Sequence, residues 1–99
     1  MPQLATKARA GDQVAAFKLY EHYEYIEHNR PTAIMWLTQA AELGHAVAQY
    51  NLGMEYSGAF HPQMKDLAKA RFWLQKAADN GVEGAKEHLE QLDTNQVVK

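Results

Sequence analysis

Five histidines are the residues of this chain best suited to metal binding or proton transfer. Glu24 and His28 are spaced i, i+4, which places both on one face of a helix and could supply two metal ligands. His22 and His28 stand about 240° apart around a helix and cannot share a face. We interpret Glu24 and His28 as a solvated helix pair and predict no metal and no cofactor. His45 is expected to cap a helix, and His61 to be exposed in a loop.

Motifs typical of enzymes are absent from the sequence. The chain has no cysteine, which excludes a thiol nucleophile, a disulfide framework and a cysteine zinc site. It contains no G-x-S-x-G nucleophile turn, no H-E-x-x-H helix and no glycine-rich phosphate loop. We therefore predict no catalytic residues and no enzymatic activity.

Composition narrows the remaining classes of function. The 99 residues allow one domain, and the net charge is −2. Lys and Arg are nowhere concentrated, so we predict no nucleic-acid partner. No run of 18 apolar residues could span a membrane. The N-terminal segment has no apolar core like that of a secretory signal, and we expect a cytoplasmic protein.

The chain repeats itself at two offsets. The segment that begins at Trp36 matches the segment that begins at Trp73, at an offset of 37 residues. At an offset of 33, residues 4–23 align with residues 37–56. The difference of four residues (37 − 33) falls in one loop, which is where repeat arrays accept insertions.

Each repeat unit is predicted to contain two antiparallel helices. Apolar residues recur at helical spacing, Asn29 and Asp66 are placed to act as N-caps, and Gly11, Gly44 and Gly81 follow helix ends. The predicted helices are 2–10, 13–28, 31–43, 46–57, 66–80 and 82–93. We divide the chain into an N-terminal cap helix (2–11), repeat 1 (12–44), repeat 2 (45–81), a C-terminal cap helix (82–93) and a frayed tail (94–99).

The large apolar residues of the second helices are the predicted core. Trp36 and Trp73 occupy equivalent positions beside paired alanines, and we interpret both as packed between helices. Met35 and Phe72 precede them and are also equivalent; they are either second-layer core, which we favour, or a convex surface patch. Sixteen alanines against 11 β-branched residues favour an all-α fold.

The segment AVAQYNLGMEYSG, followed by a loop and KDLAKARFWLQKAADNG, resembles a repeat of the Sel-one-like (Sel1-like) family, which is related to tetratricopeptide repeats. The matching positions are Ala48, Leu52, Gly53, Tyr56, Asp66, Lys69, Ala70, Trp73, Lys76, Ala77, Ala78 and Gly81. Tyr20 stands where the pattern has the small Gly. The resemblance implies a short right-handed α-solenoid of about two and a half helix-turn-helix repeats, which acts as an adaptor or scaffold.

A second apolar stripe on the first helix of each unit is the candidate binding surface. Helices of this kind line the concave side of a solenoid, and the inward stripe already supplies packing within the unit. The alternative is that this stripe packs neighbouring first helices together. The candidate partner-binding residues are Val14, Phe17, Glu21, Glu24, Val47, Tyr50 and Met54.

The distribution of charge agrees with a binding role for the middle of the chain. Residues 32–64 contain Glu42 and Glu55 but no Lys or Arg. Interface cores are depleted in charge, although a central helix pair flanked on both sides would also bury more of its surface.

Three functions remain open at this point. The first is an adaptor that holds a protein or peptide segment on its concave face. The second is a structural homo-oligomer, such as a homodimer, that pairs through the same stripe or through its cap helices. The third follows from the resemblance, because some small members of the family resemble toxin-neutralising immunity proteins.

Overall fold

The computed structural model describes the backbone of residues 2–97 and the side chains of residues 3–92. All the secondary structure in this part of the chain is helical, and it forms an elongated body of 48 × 26 × 17 Å. The all-α class and the six predicted helices are confirmed. The helices are α1 (Pro2–Arg9), α2 (Gln13–Glu21), α3 (Arg30–Glu42), α4 (Ala46–Ser57), α5 (Leu67–Asp79) and α6 (Ala85–Val97).

Sequence-local signals place most of the helix ends. Asn29 and Asp66 each accept a hydrogen bond from the backbone N–H three residues further on, at 3.2 Å, so both predicted N-caps are confirmed. Gly11, Gly44 and Gly81 have φ values of 102°, 103° and 85°. In this left-handed conformation the chain leaves one helix and turns back into the next.

The end of the second helix differs from the continuous α-helix predicted over 13–28. A π-helix at His22–Ile26 continues α2, and the N–H of Glu27 donates to the carbonyl of His22 at 3.0 Å. His28 then ends the helical segment with a φ of 54°. The wider turn changes which side chains share a face, so the predicted i, i+4 relation of Glu24 and His28 does not form.

The last helix also has different bounds from those predicted. Gly84 adopts a φ of 88°, and α6 therefore begins at Ala85 rather than at residue 82. The helix continues to Val97, so the predicted frayed tail is helical up to that residue. Residues 98 and 99 lie outside the described part of the chain.

Two clusters of buried residues hold the helices together. The first core cluster joins α1, α2, α3 and α4, and the second joins α5 to α6. Trp36 is buried in the first cluster at 7% exposure, as predicted. Trp73 packs against the edge of the same cluster and is only half-buried, so the two equivalent tryptophans are not equally enclosed.

The preferred prediction for Met35 and Phe72 is wrong. Their exposures are 53% and 51%, and both lie on the outer surface. Each precedes its tryptophan by one position, which is about 100° around the helix and turns it away from the neighbouring helices. The ring of Phe72 packs edge-on against Trp73 at 4.9 Å, and the ammonium of Lys76 lies 5.2 Å from its centroid.

Close helix contact in the second unit depends on Gly53. A Cβ atom at this position would lie 2.7 Å from Cγ of Leu74, so only glycine permits the observed approach of α4 and α5. At the equivalent position of the first unit, Tyr20 is itself buried, with 5% exposure. The two units therefore share one helical plan but fill this position differently.

Candidate functional site

The candidate residues on α2 and α4 lie in two kinds of environment. Val14 and Val47 are about half exposed, at 51% and 48%, and Glu21 is exposed. Phe17, Tyr50, Glu24 and Met54 are half-buried. The first group is therefore open to solvent, while the second group also takes part in packing between units.

Phe17 and Tyr50 occupy equivalent positions, and each contacts a histidine of the next unit. The rings of Phe17 and His45 stack with 4.5 Å between centroids and 7° between planes. The hydroxyl of Tyr50 lies 3.2 Å from Nδ1 of His88, and the two rings meet edge to face. These contacts connect α2 to α4 and α4 to α6. Part of the stripe therefore packs neighbouring first helices together, which was the alternative to a binding surface.

His45 has a second role at the start of α4. Its Nδ1 accepts a hydrogen bond from the N–H of Ala48 at 3.1 Å, so its predicted capping role is confirmed. Burial lowers the pKa of His45 below the ordinary value, and the negative charge of Glu21 opposes that shift. The neutral ring is thus the form that the folded chain favours.

A pocket of about 470 Å³ opens between the end of α2, the π-helix, α4 and the loop that follows α4. We call it the aromatic pocket, because four of its nine lining residues carry phenyl or phenol rings. Three of the predicted binding residues line it, together with six residues that were not among those predicted to bind a partner. The lining consists of Tyr20, Glu24, Tyr25, Tyr50, Asn51, Met54, Glu55, Phe60 and His61.

Arg30, at the start of α3, holds the two carboxylates of this pocket in place. Its Nη1 donates to both oxygens of Glu24 at 2.8 and 2.9 Å, and its Nη2 donates to Oε1 of Glu55 at 2.8 Å. The Glu24 and Glu55 side chains are 17% and 11% exposed. Burial lowers the pKa of Arg30, but the hydrogen bonds to both carboxylates outweigh it and raise that pKa overall.

His61 ties the loop after α4 to the same group of charges. Its Nδ1 lies 2.9 Å from Oε1 of Glu55. The same Nδ1 lies 3.3 Å from Nη2 of Arg30. Because a carboxylate oxygen can only accept and a guanidinium can only donate, Nδ1 bonds to Glu55 when it carries the proton and to Arg30 when it does not. The expectation that His61 is simply exposed is therefore wrong: the side chain is 34% exposed and anchored.

Tyr20 completes the buried side of the aromatic pocket. Burial raises the pKa of its hydroxyl, as do a hydrogen bond with Tyr25 and the charges of Glu24 and Glu55. The phenol therefore stays protonated and remains a hydrogen-bond donor beside the carboxylates.

Several residues of the pocket, and Arg30 beside it, could not be found by sequence reasoning. Tyr25 is brought to the pocket by the π-helix, for which the side-chain types give no signal. Phe60 and His61 come from the loop that is longer than its counterpart, and Arg30 reaches Glu55 across 25 positions of sequence. Besides the stripe on the first helices, the low charge of residues 32–64 was the sequence feature that marked this region.

The structure brings together no metal site within its described residues. No group of three or more His, Cys, Asp or Glu side chains is placed to hold an ion there. Glu24 faces Arg30, and His28 lies in the following loop. Within the same residues, none of the helices has the length and apolar character that a membrane span requires.

Antiparallel helix pairs with equivalent contacts between successive units define a helical-repeat protein of the solenoid class. The chain belongs to the Sel1 repeat family, whose profile matches residues 22–45 and 46–82. Members of this family are non-catalytic repeat scaffolds that generally mediate protein–protein interaction.

A curated relative and a solved structure each resemble the chain. The uncharacterized protein YibG of Escherichia coli (strain K12) is 31% identical over 93 residues, and the match covers 91% of this chain. The chain spans 60% of the length of that relative. The crystal structure of a Sel1 repeat protein from Oxalobacter formigenes has 28% identity and a TM-score of 0.51, with 90% of this chain and 96% of that chain covered.

Proposed function

We propose that this chain is an adaptor that holds a segment of a partner protein on the face formed by α2, the π-helix and α4. We call this surface the first-helix face. The proposal rests mainly on the aromatic pocket, because residues of two successive units line it together. A segment lying there would contact both units at once, as repeat scaffolds do.

The exposed apolar residues of the same helices indicate how such a segment would be held. Val14 and Val47 each leave about half of their surface in water, and a bound apolar side chain would cover that area. Burial of this kind contributes about 1–3 kcal/mol for each important anchor. Glu21 is exposed on α2 and favours a partner with a basic flank, mainly through the rate of encounter.

Selection of peptides that bind the purified chain tests this proposal, whichever protein the partner is. Peptides would be selected from a random displayed library, and their dissociation constants measured by fluorescence polarisation. The Val47→Asp variant places a charge on the first-helix face. Its matched control is Met35→Asp on α3, since the two side chains are almost equally exposed, at 48% and 53%.

The expected result is a loss of affinity of about tenfold or more for Val47→Asp, with Met35→Asp close to wild type. Both variants should melt near the wild-type temperature, because each replaces an exposed side chain. Loss of binding in Met35→Asp alone would move the binding surface to the second helices and overturn the proposal.

Self-association is the second candidate, and one observation favours it. Met35 and Phe72 expose apolar side chains at equivalent positions of α3 and α5, which gives the second helices a surface for pairing with another copy. Light scattering of the wild type and of Phe72→Gln distinguishes the candidates. A dimer that Phe72→Gln converts to a monomer would support this function, and a wild-type monomer would contradict it.

A further inference from the structure

We propose that the aromatic pocket is the site for one basic side chain, arginine or lysine, of the bound partner segment. This inference rests on the proposed function and specifies the chemistry of its partner. Three features carry it: exposed aromatic rings at the mouth of the pocket, two carboxylates on its wall, and a net negative charge that no Lys or Arg among the described lining residues balances.

The mouth of the pocket exposes two large aromatic side chains that a monomer would ordinarily bury. Tyr25, on the π-helix, is 65% exposed, and Phe60, in the loop after α4, is 67% exposed. They belong to separate segments, yet both line the same pocket. The face of an aromatic ring attracts a cation, and a guanidinium can also stack flat against it.

The charged groups around the pocket carry a net negative charge that one additional cation would balance. Glu24 and Glu55 contribute two negative charges, and Arg30 contributes one positive charge. With histidine counted as neutral the group has a charge of −1, and none of the described lining residues is a Lys or Arg. An apolar side chain could occupy the space between the rings, but it would leave that charge uncompensated.

The carboxylates keep hydrogen-bonding capacity for such a ligand. Each oxygen of Glu24 accepts one hydrogen bond from Arg30, whereas a carboxylate offers about four acceptor positions. Oε2 of Glu55 has only a long contact with Arg30, at 3.5 Å. Arg30 and His61 hold these carboxylates in position, so that their free acceptor positions need little reorganisation to receive a donor.

An isolated side-chain probe tests the pocket directly. N-acetylarginine N-methylamide would be titrated into the full ¹⁵N-labelled chain, and backbone amide shifts followed by NMR. The citrulline analogue is nearly isosteric and uncharged, and the norleucine analogue is purely apolar. The test variants are Tyr25→Ala and Phe60→Ala, and the matched control is Ile26→Ala, which removes an equally exposed neighbour (68%) outside the lining.

We expect saturable shifts at Asn51 and at the residues around Phe60 with the arginine probe and much weaker ones with citrulline. Tyr25→Ala and Phe60→Ala should each lower the affinity for the arginine probe about threefold to tenfold. Ile26→Ala should leave that affinity unchanged. Equal effects of the three probes would show an apolar anchor site and overturn the inference, as would the absence of saturable shifts at the pocket.

The result is separable from that for the proposed function. If selected peptides bind the first-helix face but the arginine probe does not occupy the pocket, only the basic-side-chain inference fails. If the probe binds and Val47→Asp leaves every selected peptide unaffected, the adaptor proposal fails while the pocket retains its chemistry.

Discussion

The imidazole of His45 lies flat against the ring of Phe17, with 4.5 Å between their centroids. The same imidazole accepts the N–H of Ala48 and so caps α4. One side chain therefore connects the first helix of one unit to the start of the first helix of the next. The cap depends on a free Nδ1 lone pair, which the uncharged ring provides.

Acid should weaken the fold through His45. Its pKa is lowered by burial in the folded chain, so the stabilisation is complete above the unfolded value of about 6.5 and is lost as the pH falls through that value toward the folded pKa. Melting temperatures between about pH 8 and about pH 5 would show this loss.

The variant His45→Asn isolates that effect. Asparagine keeps a capping acceptor but does not titrate, so the fall in melting temperature below about pH 6.5 should become shallower. His28→Asn is the control, because His28 is exposed at a positive φ that asparagine tolerates. An unchanged pH profile in His45→Asn would contradict the assignment.

Gly53→Ala should destabilise the chain by about 1–3 kcal/mol, although alanine is the better helix former. The new methyl group would meet Cγ of Leu74 at 2.7 Å. Urea unfolding of Gly53→Ala, Leu74→Ala and the double variant gives the coupling energy. The double variant should lose about 1 kcal/mol less unfolding free energy than the two single variants lose together. Strict additivity of the losses would show that the two residues do not compete for space.

The two tryptophans should differ in their contribution to stability. Trp36 is buried at 7% exposure, and Trp36→Ala should cost about 3–5 kcal/mol. Trp73 is half-buried, so Trp73→Ala should cost less, about 1–3 kcal/mol, because part of its ring already contacts water. Chemical denaturation ranks the variants, and acrylamide should quench Trp73 more than Trp36. The reverse order would be inconsistent with the packing described.

Loss of Arg30 should leave two mostly buried carboxylates without their shared cation. We expect Arg30→Gln to lower the free energy of unfolding by about 1–3 kcal/mol, which is less than for a fully enclosed ion pair because the Arg30 side chain is 31% exposed. Added salt should reduce the difference in unfolding free energy between the wild type and Arg30→Gln, since it screens the repulsion between Glu24 and Glu55. Lys18→Gln, at an exposed position of α2, is the control and should change little.

The fold followed from the sequence wherever a local signal marks the structure. Asn29 and Asp66 each cap the helix that follows them, because a short side-chain oxygen before an apolar stripe has few other roles. The repeat offset then placed the helix pairs. Met35 and Phe72 were misplaced for a related reason: repetition shows that two positions are equivalent, but it does not show whether they face inward.

The candidate site was predictable only in part. Glu24, Tyr50 and Met54 were found from helical spacing and line the aromatic pocket. Tyr25 was missed, because a π-helix requires one widened turn that depends on tertiary contacts rather than on residue types. Arg30 was missed for another reason, since its two ion pairs join residues from three separate elements.

The aromatic pocket includes two parts of the described chain that do not recur. The π-helix follows α2 but not α4, and the loop that carries Phe60 and His61 follows α4 alone. A tandem array made by duplicating only one of the two units would therefore reproduce the helix pairs and lack the pocket. In a repeat protein of this kind, a distinctive pocket forms where two unlike units meet, and a difference of a few residues in loop length can determine whether it forms.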